Sequence, residues 1–131
     1  MIAVDTSALA AIAFREPDAA VFILALTEAD QICLSAGTVV EMQMVVRGRG
    51  GDASVDGMDK LLSRLRAEIV PVDIAHVAVA QTAFRRFGKG AGHPAQLNFG
   101  DLFAYALAKS RGIPLLFKGE DFARTDIASV L

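Results

Sequence analysis

Met1-Ile2-Ala3-Val4-Asp5-Thr6-Ser7-Ala8-Leu9 is the stretch whose reading decides the fold. Three apolar residues, Ile2 to Val4, stop at a carboxylate and two hydroxyls, after which a helical pattern begins. An apolar run with no polar alternation predicts a strand buried on both faces, the kind found in parallel sheets covered by helices. Ligands of such sheets gather outside the carboxyl ends of the strands, which is where Asp5 falls.

Working outward, Ser7 is expected to cap a short helix through Phe14, and Asp18 to open a second that ends at Glu28-Ala29-Asp30. Gln31 to Leu34 reads as a strand, and Ser35 as the cap of a helix over Thr38 to about Arg47 that carries Glu41. Arg47-Gly48-Arg49-Gly50-Gly51-Asp52 reads as a mobile loop because of its glycines and charges. Ser54 to Ala67 has leucines at helical spacing, and Ile69-Val70-Pro71-Val72 is a strand at a sheet edge or strand end, since Pro71 cannot donate to a ladder. Asp73 caps a helix to Phe87, and a second glycine-rich loop spans Gly88 to Pro94. Asn98 caps a helix from Phe99 to Ser110 that stops at Gly112, Ile113 to Phe117 is a strand, and Ile127 to Val130 a short fifth one. Strands alternating with helices predict an α/β protein with a parallel sheet and right-handed crossovers.

The 131 residues suit one domain with a real core. Hydrophobic residues make up 53%, above the roughly 45–50% of ordinary soluble domains, so part of the apolar surplus is available to a partner. The net charge of −2 gives no whole-chain sign of nucleic-acid binding, which leaves only a local basic patch for that purpose. The single cysteine, Cys33, excludes a disulfide framework and is expected in the core. No run is apolar enough for a membrane span and no secretory pattern opens the chain, so a cytoplasmic protein is expected.

Four carboxylates occupy comparable places in this pattern. Asp5 and Asp121 follow strands, while Glu41 and Asp101 lie near the starts of helices, so the topology puts all four on the carboxyl side of one sheet. Each alone could be a helix cap or a solvated acid, but Glu41 stands among Val39, Val40, Met42 and Met44, and Asp101 between Phe99 and Leu102-Phe103. Acids in apolar surroundings are costly unless paired or bound to metal. Packed together they repel, and a divalent cation relieves the repulsion. An all-oxygen set suits Mg²⁺ or Mn²⁺ and not zinc. Such a metal can activate a water and stabilise a departing oxygen, the equipment of phosphodiester hydrolysis.

The opening Val4-Asp5-Thr6-Ser7-Ala8-Leu9, the helical Glu41, Leu97-Asn98-Phe99-Gly100-Asp101, and Leu116-Phe117-Lys118-Gly119-Glu120-Asp121-Phe122 with Thr125-Asp126-Ile127 resemble, in order, a PIN domain of the VapC-type toxin ribonucleases. The resemblance covers the whole chain, 1–131. It implies a three-layer sandwich with a central parallel sheet of four to five strands, and cleavage of RNA with Mg²⁺ or Mn²⁺. Asp5 and Asp101 would be the principal metal ligands, with Glu41 and Asp121 completing the cluster directly or through water. Ser7, or failing that Thr6, would hold Asp5, and Asn98 would orient the segment bearing Asp101. Asp121 is preferred over Glu120 for the metal, and Asp126 is read as a turn residue.

The same resemblance implies a small antitoxin partner and a homodimer, with Phe14, Met42, Met44 and Val45 as places to look for partner contact. Arg47, Arg49, Arg85, Arg86, Lys89 and Lys118 are the candidates for RNA phosphate contact. His76 and His93 are expected to be inessential. The alternative reading is a catalytically silent PIN-fold binding module, whose expected mark, loss of an acidic position, is absent. A haloacid-dehalogenase pattern would need a second Asp where Ser7 stands, and a receiver domain would need neighbouring acids after its first strand.

Overall fold

The computed structural model describes residues 1–131. The apolar opening forms β1, Ile2–Val4, buried throughout. Ile2 and Val4 join one core and Ala3 the other, the period of two that a pleat imposes. β1 lies between β2, Ile32–Ser35, and β4, Leu115–Leu116, and β3, Glu68–Val70, completes the order β3-β2-β1-β4. Every pairing is parallel.

Helices α1, Thr6–Ala13, and α2, Ala19–Glu28, carry the chain from β1 to β2, and α3, Ala36–Arg64, carries it on to β3. They cover one face, where Leu9, Phe22, Leu26, Met42, Val46 and Met58 pack against Val4 and Leu34. Helices α4, Ile74–Phe87, and α5, Phe99–Arg111, cover the other with Phe87, Ala104 and Leu107 around Cys33, Leu115 and Phe122. This is the three-layer α/β sandwich that the resemblance implied. The chain steps outward from β1 to β2 to β3, then returns to the far side of β1 as β4. The reversal opens a crevice beyond the carboxyl end of β1. Asp5 stands there, its backbone N–H donating to Leu116 O at 2.9 Å.

Several local readings hold. Asp73 caps α4 by accepting from His76 N–H at 2.9 Å, and α5 begins at the Asn98 cap and ends at Gly112 with φ 63°. β3 is at the sheet edge and stops at Val70, so Pro71 follows the strand and does not lie inside it. The second glycine-rich loop is tied at its base by a parallel bridge between Gly88 and Leu97.

Others are corrected. Arg47 to Asp52 is not an extended loop: α3 is two helices that meet at a kink within this stretch, and the break the glycines announced is confined to Gly51, at φ 69° and ψ −171°. That conformation is essentially reserved for glycine. Gly48 and Gly50 stay helical because Val46 and Val55 on either side sit in one core, Arg47 pairs with Asp52, and the Arg49 guanidinium lies 4.3 Å from the Phe14 ring centre. Packing outweighs a propensity penalty of about 1 kcal/mol per glycine. Ser7 does not cap α1; Asp5 does, accepting from Ser7 N–H. The fifth strand shrinks to a single bridge between Leu115 and Ser129, because β4 offers only two residues for a ladder. No helix is long and apolar enough to cross a membrane.

Candidate active site

Asp5 is 3% exposed. Its Oδ2 accepts from Ser7 N–H at 3.0 Å and from Ser7 Oγ at 2.7 Å, while Oδ1 is buried with no hydrogen-bond partner. Ser7 Oγ in turn accepts from Lys118 N–H at 3.0 Å, so one hydroxyl ties the end of β1 to the segment leaving β4. Thr6 takes no part in this network, its buried Oγ1 having no partner. Burial, with a smaller push from the Glu41 charge, holds the Asp5 carboxyl up at about 6 against the pull of the Ser7 hydrogen bonds.

Asp101 is placed by the first turn of α5. Asn98 Oδ1 accepts from Asp101 N–H at 3.0 Å, and Asp101 Oδ2 accepts from Asn98 N–H at 2.9 Å, a reciprocal capping box. Burial first, then the charges of Asp5, Asp121 and Glu41, hold its carboxyl at about 7 against the Asn98 backbone bond. Asp101 thus feels all three other acids. Glu41 reaches the edge from α3 and lays its carboxylate against Gly100 of α5. Asp121 is exposed at the start of a 3-10 turn, Phe122–Arg124, and makes no capping bond. None of the four acids has a lysine or arginine partner.

The donor chemistry fits a hard cation. A buried carboxylate oxygen without a partner, at Asp5, is the kind of group that a ligand or ion satisfies, and its neighbours offer oxygen alone, which suits Mg²⁺ or Mn²⁺. No three His, Cys, Asp or Glu side chains in the chain stand so that they would close on one ion unmoved.

The remaining candidates scatter. Lys118 Nζ is held by Glu16 and by Asp18, the latter at 3.0 Å, and Arg47 is paired with Asp52. Arg86 lies over the Phe87 ring at 4.5 Å and 3.7 Å from Asp126. Only Arg49, Arg85 and Lys89 of the six basic residues lack an acidic partner. Asp126 faces away from the cluster: Tyr105 Oη and Lys109 Nζ each donate to it at 2.7 Å. Burial raises Asp126, but these bonds carry it net below the usual carboxylate range. The charge reaching Asp101 from the turn after β4 is that of Asp121.

His93 Nδ1 accepts from Ala95 N–H at 3.1 Å and its ring meets Phe87 edge-on at 4.9 Å, outside the site. His76 is buried, with Nδ1 unpartnered, beside an apolar cavity of about 480 Å³ between α4 and α5 that Phe84, Phe99 and Phe103 also line. Sequence reading missed that burial, and it missed Gly100, which carries no charge to draw notice.

A family model described as the PIN domain matches residues 2–128. Ribonuclease VapC30 of Mycobacterium tuberculosis is 46% identical over 128 residues, covering 97% of this chain and 96% of that protein. Among solved structures, VapC20 of Mycobacterium tuberculosis, described as a sarcin-ricin loop cleaving toxin, superposes with a TM-score of 0.77 at 15% identity over 98% of this chain and 97% of its own. VapBC2 from Rickettsia felis, bound to a DNA fragment from its promoter, gives 0.71 at 18% identity over 98% of this chain and 96% of the other. With the acidic edge in the position the fold dictates, the chain belongs to the PIN-domain family, among its VapC ribonucleases.

Proposed function

We propose that this protein is a Mg²⁺- or Mn²⁺-dependent endoribonuclease that hydrolyses RNA phosphodiester bonds, the cytoplasmic toxin of a type II toxin–antitoxin pair. The observation that carries the reading is the buried, unpartnered Oδ1 of Asp5, set among three further acids with no cation of the protein's own. In this reading Asp5 and Asp101 are the principal metal ligands, and Glu41 and Asp121 complete the set directly or through water. When bound, the ion would activate a water and stabilise the charge of the cleaved phosphate.

The chain's own residues prepare that site. Ser7 occupies Oδ2 of Asp5 and leaves Oδ1 free. The Asn98 cap occupies Oδ2 of Asp101 in the same way and fixes that carboxylate against rotation. Both acids hold protons more tightly than a solvated Asp, so protons compete with a cation for them as pH falls. Arg49, Arg85 and Lys89 are the basic groups still available to RNA phosphates.

The 46% identity to a ribonuclease supports the RNA substrate, and the complexed state of the Rickettsia felis neighbour is in keeping with an antitoxin partner. Exposed Val40, Met44, Val45 and Phe99 are apolar surface for the antitoxin or a second copy, whereas Met42 is fully buried and drops out of that set. The test is cleavage of total RNA by purified protein with Mg²⁺, Mn²⁺ or a chelator, beside Asp5→Asn and Asp101→Asn. Cutting is expected only from the unmodified protein with metal; equal cutting by Asp5→Asn would overturn the assignment.

A further inference from the structure

We propose that Gly100 is the seat of Glu41, a positioning residue whose missing side chain lets the Glu41 carboxylate cross from α3 onto the first turn of α5 beside Asp101. The consequence for metal rests on the reading above; the seat itself rests on geometry. A Cβ at position 100 would lie 1.5 Å from Glu41 Oε2, 2.3 Å from Cδ and 2.8 Å from Oε1. No non-bonded pair tolerates such approaches, so any other residue expels the carboxylate.

Nothing else about the position calls for glycine. Gly100 is the second residue of α5 and has no positive φ, and alanine would favour the helix there. The atoms it would strike are the far end of one flexible side chain, so the backbone of α3 need not move. The fold survives and Glu41 leaves the site.

The crossing is reciprocal. A Cβ at Gly37 of α3 would fall 2.4 Å from the ring of Phe103 of α5. Each helix therefore offers a glycine to a side chain of the other. The contact at Gly37 reaches Phe103 Cγ, also at 2.4 Å, the root of a ring with less freedom than the end of Glu41, so bulk at position 37 disturbs packing while bulk at position 100 disturbs the acidic edge. Glu41 enters the site because two helices approach at their glycines.

The experiment is a double-mutant cycle of wild type, Gly100→Ala, Glu41→Ala and the double variant, read by melting temperature without metal, by Mn²⁺ titration calorimetry, and by a metal-free crystal structure of Gly100→Ala. Gly100→Ala is expected to keep the metal-free melting temperature and to lower Mn²⁺ affinity about 10-fold, with no further loss when Glu41→Ala is already present. Wild-type affinity in Gly100→Ala, or an equal loss in both backgrounds, would overturn the seat. Failure of the double variant to fold as Glu41→Ala does would overturn it too, since the clashing atoms are then gone. If wild type neither binds Mn²⁺ nor cuts RNA, the catalytic reading fails on its own. The crystal structure still decides the seat: a displaced Glu41 carboxylate upholds it and an unmoved one ends it.

Discussion

The two edges of the sheet treat acids in opposite ways, and α5 touches both. Its 13 residues span about 20 Å, with Asp101 in the first turn and Arg111 in the last. At the amino edge Arg111 grips Glu68 with both guanidinium nitrogens, at 2.8 and 2.9 Å, Gln31 adds a bond of 2.9 Å, and the Cys33 thiol is enclosed beneath. The Arg111 hydrogen bonds hold Glu68 below the usual carboxylate range. At the carboxyl edge Asp5 and Asp101 are pushed above it by burial, with no basic side chain at hand. One edge settles its charge internally and is architecture. The other has no basic side chain of its own to balance its acids.

The largest expected effect breaks the acidic edge. Asp5→Asn or Asp101→Asn should lower RNA cleavage at least about 100-fold, while the metal-free melting temperature rises because a buried charge is gone; cleavage gels and thermal melts read the two together. Ser7→Ala comes next. It removes the 2.7 Å bond to Asp5 and the acceptor for Lys118 N–H, and should reduce the cleavage rate about 10-fold, with circular dichroism unchanged.

The pH dependence of stability should carry opposite signs at the two edges. Asp5 and Asp101 have native values of about 6 and about 7, above the ordinary aspartate value of about 3.9, so the native state keeps protons that the unfolded chain releases. Metal-free stability should therefore fall as pH rises from about 4 to about 7, and urea midpoints of Asp101→Asn should show a flatter fall. Glu68, lowered in the native state, contributes stability present above its unfolded value and lost as pH drops through the native one. Arg111→Ala should remove that acid-side loss. The smallest effect is on the protein at neutral pH: Arg111→Ala should lower the melting temperature by a few degrees and speed labelling of Cys33 by a thiol reagent, with RNA cleavage unaltered.

Local grammar made much of this legible. Asp73, Asn98 and Gly112 mark helix ends through chemistry carried by single residues, and the apolar Ile2 to Val4 could only be a covered strand. The break among the glycines of α3 was legible, but not its confinement to Gly51, which depends on what flanks it in space: Val46 and Val55, on either side of the kink, reach one core. The pairing of Lys118 was not legible for a similar reason, since Glu16 and Asp18 are about a hundred residues away and only the fold brings them to it. Among the acids, types and order were visible, whereas the separate commitment of Asp126 to Tyr105 and Lys109 was not.

The close approach at Gly100 bears on how sequences of this kind are sorted into working and silent enzymes. A tally of acids would pass any chain that keeps counterparts of Asp5, Glu41, Asp101 and Asp121. One with alanine in place of Gly100 would pass the same tally with its second helix acid turned out of the crevice. On the proposal above, a weakened site would be written at an uncharged position, by one methyl group, with every acid still spelled out in the chain.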